Sequence, residues 1–170
     1  NTNFSAYPAN VCLGDTVNFT DFTTGGVPIS WQWSFSGGTP STSGIQNPSV
    51  VYDTAGVYDV SLTADDGSGP VTKLKSGYIN VVQIASAPSA IIGSITPCEN
   101  ASEIYSVTNV AGLSYSWTLP VGWSGTSNSN NITSSVDTTS GLISVTADNV
   151  CGSSPSSALI VTPSKLPVAD

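Results

Sequence analysis

The chain has 170 residues, room for one large or two small domains, and only 8% of them are charged, against about 25% in an ordinary globular chain. Hydrophobic residues at 39% and aromatic residues at 8% are enough for packed cores, which excludes disorder despite the wealth of Ser, Thr and Asn. A net charge of −8 with three lysines and no arginine argues against nucleic acid and anionic membrane as partners; the lack of His removes Ser-His-Asp and Cys-His catalysis, and no run of 18 apolar residues offers membrane insertion.

Phe4 to Tyr7 reads as a first short strand broken by Pro8, and Leu13-Gly14-Asp15 as the turn into a second strand, Thr16 to Phe22, with Val17 and Phe19 on one face. The Gly25-Gly26 and Pro28 turn leads to Trp31-Gln32-Trp33-Ser34-Phe35, where three aromatic side chains at every second position share a face of an extended strand. Gly37-Gly38 ends that strand, and Gly37 to Pro48 reads as a polar, exposed loop. Ser49 to Tyr52 is a short strand. Val57 to Ala64 alternates cleanly, with Tyr58, Val60, Leu62 and Ala64 inward, and Val71 to Val82 is a long strand bulged near Gly77. Strands at this spacing predict an all-β immunoglobulin-like sandwich. In such a sandwich Trp33 takes the place of the buried strand-C tryptophan and Tyr58 that of the tyrosine that ties the E–F corner; with Phe35 they are expected to be structural core. Trp31 lies one pleat nearer the strand end, where a ligand-binding role by an exposed ring stays open.

Three segments in order carry a more specific pattern: Trp33-Ser34-Phe35-Ser36-Gly37-Gly38, then Gln46-Asn47-Pro48-Ser49-Val50-Val51-Tyr52, then Gly56-Val57-Tyr58-Asp59-Val60-Ser61-Leu62-Thr63. Residues 1–83 on this ground resemble the polycystic-kidney-disease (PKD) domain, whose typical motifs are W-x-F-G-D-G, N-P-x-x-x-Y and G-x-Y-x-V-x-L. Gly37 stands where that family often has Asp, so no carboxylate role carries over to it.

The second half repeats the scheme: Cys98 stands 86 positions after Cys12, and Trp117 stands 84 after Trp33. A second sandwich is therefore expected over residues 84–163, after a short Pro-containing connector at 83–88. Glu103 to Val107, Ser114 to Leu119, Leu142 to Asp148 and Ser156 to Thr162 read as strands, with Tyr115, Trp117 and Leu119 inward, then Ile143, Val145 and Ala147. Trp117 joins the expected core. The run from Tyr115 to Trp123, with Asn149-Val150-Cys151-Gly152 later, resembles the PKD-like, Ig-like repeats of large secreted proteins from Bacteroidota. Trp123 follows Pro120 and Gly122 in a turn, and two readings stand open for it: a cap on the sandwich or a sugar-stacking surface. Residues 164–170 read as a linker or the start of a further domain. With a chain that opens at Asn1 without an initiator Met, this suggests a piece of a long array.

Three cysteines leave the disulfide state open. Cys98 precedes one strand and Cys151 follows another that runs the same way, so a Cys98–Cys151 bridge would have to span about 20 Å, whereas bridged Cα atoms lie about 5.5 Å apart. A Cys12–Cys151 bridge across the domain junction is the expectation, with Cys98–Cys151 the alternative and free thiols a third possibility. Asp65 and Asp66 are weak Ca²⁺ candidates, for Asp-Gly runs are also ordinary turn chemistry; no other metal or cofactor is expected. Glu99 and Glu103 lack an acid–base partner and read as surface. Four Asn-x-Ser/Thr triplets, at Asn3, Asn18, Asn100 and Asn131, are what a Ser/Thr/Asn-rich chain produces by chance.

No catalytic residue set can be assembled, and the chain is not expected to be an enzyme. The expected function is a non-catalytic, extracellular spacer or adhesion segment of a larger secreted or cell-surface protein. Its expected partners are neighbouring domains of the same chain and, beyond them, an extracellular polysaccharide or protein. The alternative is a carbohydrate-binding module that uses exposed Trp31 or Trp123.

Overall fold

The structure is a computed structural model and describes residues 1–165; the expectation for the 166–170 tail lies outside these residues. Strands make up all of its regular secondary structure, and the chain divides into two compact units, the first running from Asn1 to Gln83 and the second beginning at Ile84.

Unit 1 has eight strands: β1 (Phe4–Tyr7), β2 (Asn10–Cys12), β3 (Thr16–Asp21), β4 (Ser30–Phe35), β5 (Thr42–Ser43), β6 (Ser49–Val51), β7 (Gly56–Asp65) and β8 (Val71–Val82). They form a three-stranded sheet, β1-β3-β6, and a five-stranded sheet, β2-β8-β7-β4-β5. Every pairing is antiparallel except β2 with β8, where Val11 lies opposite Val81. Alternation places Val17 and Phe19 from one sheet against Trp33, Phe35, Val60, Leu62 and Ile79 from the other, and all of these are fully buried. Trp33 is the hub. Its ring stacks on Phe35 at 5.6 Å and meets Phe4 edge-on at 5.1 Å, geometries that favour the ring quadrupoles.

Unit 2 holds β9 (Ser102–Ser106), β10 (Ser114–Thr118), β11 (Asn131–Ser135), β12 (Gly141–Asn149), β13 (Gly152–Ser153) and β14 (Ser157–Val161). β9 pairs with β11, and β12 pairs with β10 on one side and with β13 and then β14 on the other. Tyr105, Tyr115, Ile132, Ile143, Val145 and Val161 fill its core. Pro155 cannot donate to a ladder, and β13 and β14 are separate strands around it. Buried Ser154 bridges the gap: its N–H donates to Ala147 O at 2.9 Å and its Oγ accepts from Ala147 N at 3.0 Å.

Several expectations shift. The loop at 37–48 is partly built into the sheets, for β5 pairs with β4 and Thr39 bridges Val51. The serine- and asparagine-rich stretch that suggested no element contains β11, whose Ile132 and Ser134 alternate inward. Trp117 is only partly buried and packs against the core from its margin, while Tyr115 takes the fully enclosed place. The bulge is present between Tyr58 and Val60, opposite Lys75 to Ile79, and Gly77 in it has φ +58.

Candidate functional site

Trp31 ends the inward face of β4 half-buried, and its indole N–H donates to Asp21 Oδ2 at 2.8 Å. Asp21 also accepts from Thr23 N at 2.9 Å, Thr23 Oγ1 at 2.5 Å and Gln46 Nε2 at 3.3 Å. Partial burial pushes this carboxyl's pKa up, but the hydrogen bonds from Thr23, Trp31 and Gln46 together outweigh burial and hold it below the usual value. The polar edge of Trp31 is thus committed inside unit 1.

Trp123 does not offer the sugar-stacking surface considered from sequence. It is only 7% exposed, its ring lies 6.2 Å from Tyr105, and its indole N–H donates to Thr139 O at 3.0 Å. Gly122 at φ +89 turns the chain so that the indole folds back as a cap on the core. Trp33 and Trp117 likewise spend their N–H groups on carbonyls, of Ile45 and Ser129. Phe35 is fully buried. Tyr58 is half-buried, and its hydroxyl donates to Thr54 O at 2.8 Å, which ties the corner before β7.

Asp65 and Asp66 build a turn. Asp65 Oδ1 accepts from Gly67 N and Gly69 N, and Asp66 Oδ1 accepts from Ser68 N and Ser68 Oγ. Asp66 borders a small polar recess with Thr2, Thr24 and Ser68. No group of three or more His, Cys, Asp or Glu side chains among the described residues is placed to hold a metal ion, so these two acids have no ligand set to join.

Cys98 carries a free, exposed thiol beside Ser164, so the alternative Cys98–Cys151 bridge is not made.

One surface residue went unnoticed in the sequence. Tyr7 is 81% exposed, more than any other aromatic residue described, and sits on the outer face of β1 directly across from Asn18 of β3. Its four-residue strand was too short to show a period, but Phe4 and Ala6 facing inward assign Tyr7 the opposite face.

The profile of the PKD domain family matches residues 3–81 and that of the PKD-like domain family matches residues 84–161. No match was found among curated proteins. Among solved structures, an I-band fragment of titin is 13% identical with a TM-score of 0.61, over 97% of this chain and 65% of that one. Extracellular domains 3–5 of Drosophila OTK are 13% identical with a TM-score of 0.51, over 96% of this chain and 62% of theirs. A C-terminal fragment of intimin, solved with the intimin-binding domain of its translocated receptor, is 12% identical with a TM-score of 0.50, over 96% of this chain and 64% of that one. The chain thus spans less than two thirds of the length of each of these structures, and at such identities the likeness speaks for the sandwich fold alone. The two profiles lie end to end over nearly the whole sequence, and the chain belongs to the PKD family, as a PKD domain followed by a PKD-like domain.

Proposed function

We propose that this chain is a non-catalytic spacer or adhesion segment of a larger secreted or cell-surface protein, one that contacts other proteins or an extracellular surface. Domains of the PKD and Ig-like type are extracellular modules of multidomain proteins and are generally non-catalytic. No helix among the described residues is long and apolar enough to cross a membrane. The observation that carries the reading is how the reactive groups are spent. Asp21, Asp59, Asp65, Asp66 and Asp148 each accept hydrogen bonds from their own unit, and neither His nor Arg exists to pair with them in catalysis. Incubating the full chain with chromogenic esters, glycosides and peptides is expected to give no turnover; turnover proportional to protein concentration would overturn the reading. Tryptophan emission is expected to stay blue-shifted and unquenched on adding polysaccharide, whereas quenching would move the reading to a carbohydrate module built on Trp31.

A Cys12–Cys151 bridge belongs to the same proposal. It is supported by the count of three cysteines, one of which, Cys98, is a free thiol. Peptide mapping without reduction is expected to recover a Cys12–Cys151 linked peptide and an alkylated Cys98; a linked Cys98 would refute the pairing.

A further inference from the structure

The outer face of the three-stranded sheet in unit 1 carries the exposed ring of Tyr7 in a setting of neutral hydrogen-bonding groups. Register places Tyr7, Asn18 and Ser49 in a single row across β1, β3 and β6. Ser5 and Thr20 form the row on one side, and Thr16 and Val51 the row on the other. Inward-facing Phe4, Val17, Phe19 and Val50 confirm that these residues point away from the core. None of the seven carries a charge at neutral pH. Ser49 Oγ donates to Asn18 Oδ1 at 2.7 Å, which fixes the amide, and the Asn18 amide nitrogen donates to no group among the described residues. Tyr7, Asn18, Thr20 and Ser49 are all exposed.

We propose that this face is a binding site for a neutral polysaccharide, with the Tyr7 ring as the platform for a pyranose and Asn18 and Ser49 as hydrogen-bonding partners of its hydroxyls. The proposal deepens the surface-interaction reading above and rests on it. A planar ring gives apolar contact to the C–H face of a sugar and its hydroxyl remains a polar handle, while the Asn18 amide one strand away and the Ser49 hydroxyl two strands away supply hydrogen-bonding groups for sugar hydroxyls. Charge decides the ligand class. A chain of net charge −8, with no cation on this face, repels uronate or sulfate polymers and leaves neutral ones. Trp33 and Trp123 do not compete for this role, since both rings are buried.

The test uses the full chain in pull-downs on cellulose, chitin and insoluble mannan, with calcium alginate beads as the acidic control. Retention is expected on at least one neutral polymer and not on alginate. Tyr7→Ala is expected to weaken that retention about tenfold or more, Tyr7→Trp to restore it, and Asn18→Ala to weaken it several-fold. Since Tyr7 is exposed, unchanged near-UV circular dichroism will show that the variants are folded. Retention that survives Tyr7→Ala would overturn this site while leaving surface interaction intact. A wild-type chain retained on none of the neutral polymers would overturn the site and leave the spacer role standing.

Discussion

At the level of single residues, two polar groups of unit 1 have opposite histories. The Tyr52 hydroxyl is buried without a hydrogen-bond partner among the described residues, and burial, with a smaller contribution from neighbouring Tyr58, pushes its pKa up to about 12. An unpaired buried hydroxyl costs its desolvation, so Tyr52→Phe is expected to raise stability by about 1 kcal/mol in urea unfolding. A loss of similar size would mean that the hydroxyl has a partner. Asp21 is the reverse case, a carboxylate rewarded for its charge by Thr23, Trp31 and Gln46. Its folded pKa lies below the ordinary value, so its contribution is complete above about pH 4 and is lost as pH falls through the folded value. Because the group is largely open to water, the effect is modest, on the order of 1 kcal/mol. Asp21→Asn is expected to lower the melting temperature at pH 7 and to flatten its decline between pH 4 and 2; an equally steep decline would show that other carboxylates carry the acid sensitivity.

Among the elements, the turn after β4 explains why two glycines follow the aromatic strand. A Cβ on Gly37 would stand 2.2 Å from the Tyr58 ring, and one on Gly38 would stand 2.5 Å from Val50 Cγ1. Gly37 also has φ +68, which L side chains adopt at a cost. The turn therefore lies flat on the Tyr52 and Tyr58 rings, which stack at 5.1 Å, and the three sequence motifs meet in one place. Gly37→Ala and Gly38→Ala are each expected to cost about 2–4 kcal/mol, the sum of overpacking and, at Gly37, backbone strain. Gly14→Ala, at φ +85 but with open space around its Cβ, is expected to cost only about 1 kcal/mol. Equal losses at all three sites in urea titrations would reject packing as the cause. The same comparison shows what could be read from the chain itself. Long alternating strands such as β7 and the order of the motifs were visible because each is a local pattern. β11 was hidden, since Asn131, Thr133 and Ser135 on its outer face look like loop and only two inward residues mark the period. Trp123 as a ligand candidate rested on its aromatic ring in a Pro- and Gly-containing turn, and whether that indole is open depends on what folds over it, a long-range fact.

For the whole molecule, the organising fact is two cores with no residue in common. One is centred on Trp33, Phe35 and Leu62, the other on Tyr105, Tyr115 and Ile143. A unit of this size buries a limited share of its surface and is only marginally stable, so a core deletion should be felt sharply in its own unit. Leu62→Ala in the intact chain is expected to cost unit 1 about 2–5 kcal/mol, and Ile143→Ala a similar amount in unit 2. Residues 1–83 expressed alone contain the complete first core and both of its sheets, and are expected to fold with a cooperative urea transition. Near-UV circular dichroism, which reports fixed surroundings for Trp31 and Trp33, decides the matter. A flat near-UV spectrum with a gradual transition would mean that the first core needs residues beyond 83, and the account of two self-sufficient sandwiches would fail.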